Sequence, residues 1–107
     1  ATPGLDPWLV ASTPNIQLTC ILFNKVHVAL ENQGSDTVDW KVTQHGGGTL
    51  SESPNHGNLG PNDVVDVVIT VTRSKGNQSG ELDFIPSNPQ AGPPAVVTYN
   101  ILGCSGG

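Results

Sequence analysis

The chain has 107 residues, enough for one domain with one core. Nine acidic residues against four basic ones leave a net charge of −5. Lys25, Lys41, Arg73 and Lys75 form no stripe, which excludes the clustered basic surface that nucleic acid requires. No apolar run approaches the ~18–20 residues that cross a bilayer, and 12 Val with 9 Thr, against no Met, favour pleated strands over helices.

Residues 1–15 carry Pro3, Pro7 and Pro14 and read as an extended lead-in, with "WLVA" (8–11) adding to a sheet edge. "IQLTCILF" (16–23) is apolar at alternate positions, so Cys20 shares a face with Ile16, Leu18 and Leu22. "KVHVALEN" (25–32) turns Val26, Val28 and Leu30 inward and His27, Ala29 and Glu31 outward, the period-2 signal of a half-buried strand. "NQGSD" (32–36) is a turn, with Gly34 placed for a positive φ. "VDWKVTQ" (38–44) alternates again around Trp40 and breaks at "HGGG" (45–48). "TLSE" (49–52) is a short strand. "VVDVVITVT" (64–72) is the strongest strand, with Val65, Val67, Ile69 and Val71 inward. "ELDFI" (81–85) buries Leu82 and Phe84. After the proline-rich loop 86–94, "AVVTYNIL" (95–102) buries Val97, Tyr99 and Ile101.

Segments of this kind each bury one face only, so they need two sheets packed together. About seven strands near ten-residue spacing give an all-β, Ig-like antiparallel sandwich. Its domain runs over 16–104, with 1–15 as lead-in and 105–107 as a linker remnant; the ends "ATPG" and "CSGG" look like linker edges of a longer protein.

"SESPNHGNLGPND" (51–63) is rich in breakers because a sandwich needs connections that cross between sheets. Pro54 and Pro61 end pairing, Gly57 and Gly60 permit positive φ, Leu59 plugs the end of the core, and Asn62 or Asp63 accepts backbone hydrogen bonds as the next strand begins. His56 is then exposed at the tip of a corner.

Two cysteines, Cys20 and Cys104, make no zinc site. The alternatives are an isolated thiol, two buried free thiols or a disulfide, and the disulfide is preferred because Cys20 is in phase with the inward set and Gly103 can bend the last strand toward it. Such a bridge implies an oxidising compartment, secreted or at the cell surface.

"VALENQGSDTVDWKV", "GGTLSESPNHGNLGPNDVVDVVITVTR" and "GELDF" together resemble bacterial immunoglobulin-like modules of the BACON-like group, through the "N-x-G" turn at Asn32–Gly34, Trp40 on the next strand, and Ser53, Pro54, Gly57 and Leu59 before the long Val/Thr strand. The resemblance covers residues 25–85. It implies a bacterial secreted or surface setting beside neighbouring domains, with glycan or protein as the ligand in some modules.

No catalytic set emerges. No serine stands in a strand-to-helix nucleophile setting, and the carboxylates lack calcium-loop spacing. Asp36 with Asp39, or Asp63 with Asp66, is better read as a solvated sandwich end. His27, His45 and His56 fall on separate elements. No catalytic residue, cofactor or metal site is expected. "NQS" (77–79) matches the N-glycosylation acceptor pattern, which is inert in a bacterial protein, so its meaning depends on the source. Alternation places Trp40, Phe84 and Tyr99 inward and Phe23 at the core's edge, which leaves Trp8 as the aromatic available for ligand contact, too little for a sugar platform. The expected function is a non-catalytic accessory or spacer module acting through neighbouring domains of a longer chain; the alternative is a carbohydrate- or protein-binding adhesion module.

Overall fold

The computed structural model describes residues 7–19 and 25–102. Among them nine strands form: β1 (Leu9–Ala11), β2 (Asn15–Thr19), β3 (Lys25–Asn32), β4 (Val38–Gly46), β5 (Thr49–Ser53), β6 (His56–Leu59), β7 (Val64–Arg73), β8 (Gln78–Pro86) and β9 (Ala95–Leu102), with one 3-10 turn at Pro89–Ala91. Sheet A has the order β1-β3-β7-β5 and sheet B the order β2-β9-β8-β4-β6. The Ig-like sandwich expected from the alternation is therefore present. No helix among the described residues is long and apolar enough to cross a membrane.

Alternation builds the core directly. Val28 and Leu30 of β3, Val67, Ile69 and Val71 of β7, Leu82 and Phe84 of β8, and Val97, Tyr99 and Ile101 of β9 are all buried, as the period-2 reading requires. Trp40 is 3% exposed, and its ring lies tilted against Phe84 with centroids 5.8 Å apart. It is core, as its phase with Val38 predicts.

The strand count and one pairing differ from expectation. The first segment changes sheets. β1 pairs antiparallel with β3, and β2 then pairs parallel with β9. The switch is pinned on both sides: Ser12 N donates to Ala29 O at 2.8 Å and Thr98 N donates to Pro14 O at 2.9 Å. Pro14 has no donor of its own, so the chain leaves sheet A there. Residues 20–24, where Cys20 and the rest of "IQLTCILF" fall, lie outside the described residues.

The breaker-rich stretch crosses twice. β5 belongs to sheet A, β6 to sheet B and β7 to sheet A. A corner without pairing was expected; instead His56–Leu59 forms a short strand on β4, with Trp40 opposite Gly57. His56 is exposed and Leu59 is buried, both as read. Positive φ falls at Asn62 (φ 68), Gly46, Gly48, Gly76 and Gly92, and not at Gly34, Gly57 or Gly60. Gly34 is needed for contact: a Cβ there would lie 2.1 Å from Cδ2 of Trp8. Asp63 does accept from the Gly60 N–H, at 2.9 Å.

One polar residue holds this end together. Asn32 is fully buried. Its Nδ2 donates to Asp36 O and Leu59 O, its Oδ1 accepts from Gly34 N, and its backbone N–H and C=O pair with Asp63 and Asn62. The "N-x-G" motif is thus the knot that ties the β3–β4 turn to the β6–β7 crossing.

Candidate interaction surface

The outer face of sheet B follows from the same alternation. With Val38 and Trp40 inward, Asp39 and Lys41 point out; with Leu82 and Phe84 inward, Asp83 and Ile85 point out; with Ala95 and Val97 inward, Val96 points out. Register sets Lys41 opposite Ile85 and Asp83 opposite Val96. Two apolar side chains therefore stand at outward positions on neighbouring strands, Val96 being 44% exposed. A groove of about 380 Å³ opens at Ile85, lined by Asp39, Trp40, Lys41, Ile85, Pro86 and Ser87. Ser87 N donates to Asp39 O at 2.8 Å and closes one end. The signal for this surface was in the sequence, since Ile85 and Val96 are apolar residues in the polar phase of their strands.

Polar groups continue along the face. His45 lies opposite Glu81 on the β4–β8 ladder, and its Nε2 is 3.4 Å from Asp83 Oδ2. Glu81 has its pKa raised from 4.5, first by a hydrogen bond with Asp83, then by the Asp83 charge and some desolvation, while His45 pulls the other way. The arrangement offers apolar contact area beside one cation and several acids.

The histidines do not gather. His27 Nδ1 lies 2.7 Å from Asp66 Oδ2 on sheet A, and His56 Nδ1 lies 2.7 Å from Asn55 Oδ1. Among the described residues no three His, Cys, Asp or Glu side chains are grouped to hold a metal. Trp8 is half-buried against the core, with its backbone N–H donating to Ala91 O at 2.8 Å and its C=O accepting from Gln33 N at 2.7 Å. Its ring packs over Gly34, so one face is covered by the protein itself. Cys20 and Cys104 lie outside the described residues.

No protein-family model matches the chain, and no curated protein matches it. Solved structures do. The PapD-like (ASH) domain 7 of human CEP192 superposes with a TM-score of 0.72 at 14% identity, over 98% of this chain and 91% of that one. The CupB2 chaperone of Pseudomonas aeruginosa gives 0.72 at 11% identity, over 87% of this chain and 55% of that one. The Salmonella enterica SafA pilin–SafB chaperone complex gives 0.69 at 11% identity, over 96% of this chain and 57% of the matched chain. The chain spans little more than half the length of the chaperones it matches. The fold is a PapD-like Ig sandwich. This corrects the resemblance to BACON-like modules: the motif at Asn32–Gly34, Trp40 and Ser53–Leu59 makes a sheet-crossing knot within an Ig-like frame, and the structural neighbours are a PapD-like (ASH) domain and chaperones.

Proposed function

We propose that this chain is a non-catalytic PapD-like module that acts by holding another protein, in a secreted, cell-surface or periplasmic setting. The observation that carries the reading is the groove on the outer face of sheet B lined by Asp39, Lys41, Ile85 and Pro86, with exposed Val96 standing outward on the next strand. Exposed apolar side chains on a regular β-surface are the raw material of protein contacts. The similarity to a chaperone seen in complex with a pilin supports the same reading. A module placed between neighbouring domains of a longer chain would use this face as a docking site.

The test is comparative co-purification. The tagged parent protein is recovered from its own cells as wild type and as the Ile85→Asp/Val96→Asp pair. The expected result is loss of a defined set of bound proteins in the variant, with the melting temperature of the domain unchanged. Identical bound sets would overturn the protein-binding reading. A glycan array giving specific affinity tighter than about 100 μM, roughly 5.5 kcal/mol, would replace it with a carbohydrate-binding one. The setting has its own test, because an oxidising compartment goes with a Cys20–Cys104 bridge worth about 4.5 kcal/mol in the chain-entropy picture. Two alkylatable thiols in freshly secreted protein would sink it.

A further inference from the structure

The turn between β7 and β8 holds the sequence Asn77-Gln78-Ser79, and of the chain's nine asparagines only Asn77 is followed two residues later by Ser or Thr. The solved structures it resembles come from human as well as bacterial proteins, so the motif is open to a functional reading. Its surroundings fit an acceptor. Asn77 and Ser79 are both exposed. They flank Gln78, the first residue of β8. Residues two apart at a strand's start share a face, which brings the Ser79 hydroxyl to the side of the Asn77 amide. The turn is held by other groups: Ser74 Oγ donates to Gly76 O at 2.7 Å and Gln78 Nε2 donates to Lys75 O at 2.8 Å. Neither of these bonds uses the Asn77 side chain. Space is available on both sides. A Cβ added at Gly76 would meet nothing within 4 Å, and a groove of about 270 Å³ lined by Asn77, Gln78, Ser79, Asn100 and Leu102 runs along the end of the β8–β9 ladder.

We propose that Asn77 is an N-glycan acceptor, with the first sugar seated in the groove beside Asn100 and Leu102. The donor class is an oligosaccharide carried on a lipid pyrophosphate. In the transfer, Asn77 Nδ2 forms a bond to the anomeric carbon of the sugar. The bond from that carbon to the pyrophosphate oxygen breaks, the lipid pyrophosphate leaves with the electron pair, and Nδ2 gives one proton to the transferase's base. The result is a bulky, hydrophilic group at one corner of the sandwich. This is independent of what the module binds, since Asn77 precedes the first residue of β8 while Ile85, opposite Lys41, lies near its other end.

The experiment expresses the full 107-residue chain behind a cleavable secretion leader in a eukaryotic secretory cell, whose own lipid-linked oligosaccharide is the probe. Cell-free translation with microsomes reads the same outcome without needing secretion. The expected result is one glycan per chain, removed by peptide-N-glycosidase to leave a carboxylate at position 77. Asn77→Gln and Ser79→Ala should carry none, and Ser79→Thr should carry one. Contact of the first sugar with Leu102 methyls in nuclear Overhauser spectra would establish the seat in the groove. Wild-type chain that enters the microsomes or is secreted folded without a glycan overturns the proposal, as does a glycan at any other residue.

Discussion

Single side chains carry much of the order at both ends of this sandwich. Asn32 satisfies three backbone groups with one amide. Truncating it leaves buried carbonyls and an N–H without partners, each costing about 1–3 kcal/mol. Asn32→Ala is expected to lower stability by about 2–4 kcal/mol in denaturant titration, non-additive terms included. At the opposite end Tyr99 Oη donates to Gly47 O at 2.6 Å and accepts from Gln44 Nε2 at 3.0 Å. Tyr99→Phe keeps the ring and loses the tether. The expected cost is about 1 kcal/mol, with faster amide exchange confined to residues 45–48. Glu81 gives a pH signature. Its proton is held more tightly in the folded than in the unfolded chain, so its contribution to stability is fully present below the ordinary carboxylate pKa and fades as pH rises through the raised one. In Asp83→Asn the Glu81 titration, followed by carboxyl NMR, should move back down toward the ordinary value.

At the scale of elements, the turns are shaped by what packs on them. The "HGGG" turn is glycine-rich because two strands meet there almost without side chains: a Cβ at Gly80 would lie 2.3 Å from His45 O and 2.6 Å from the Gly46 Cα, with the Tyr99 hydroxyl at 2.7 Å. Backbone cannot yield there as a side-chain tip can. The turn at Gly34 is different, because the obstacle is the Trp8 ring. Gly34→Ala is expected to displace that ring into solvent while Trp40 stays buried, seen as a red-shifted component of tryptophan emission with small loss of stability; unchanged emission would place the Trp8 ring elsewhere. The long strands are held by their inward faces. Trp40→Ala on β4 should cost about 3–5 kcal/mol, the usual range for removing a buried aromatic, and a loss below about 1 kcal/mol would contradict the packing.

For the whole molecule the exposed problem of a sandwich is its sheet edges, which invite pairing with another chain. β5 is an edge of sheet A and β6 an edge of sheet B. β6 spans four residues between Pro54 and Pro61, too short to template a partner. β5 carries a register shift between Thr49 and Leu50 and sets Glu52 in the inward phase of Leu50, where partial burial raises its pKa. An inward carboxylate on an edge strand makes added pairing costly, because docking would desolvate it further. Glu52→Val is therefore expected to keep the fold and raise self-association, measured by sedimentation at increasing concentration. A variant that stays monomeric would remove Glu52 from the guarding role.

Alternation along the chain was sufficient to identify an all-β sandwich, its inward residues and the core placement of Trp40, because burial of one face per strand is a local pattern with period 2. The breaker chemistry of 51–63 was sufficient for the exposure of His56 and narrowed the backbone acceptor to Asn62 or Asp63, of which the fold uses Asp63. Partner choice was not legible. The parallel β2–β9 pairing, the pairing of β6 on β4 inside a run of breakers, and the knot around Asn32 all join residues distant in sequence, and a strand's own pattern says which face is buried, not which neighbour lies at its edge. The same limit hid the shape of the surface: Ile85 and Val96 are two apolar residues out of phase until the β4–β8–β9 register sets them on one face, Ile85 opposite Lys41 and Val96 opposite Asp83.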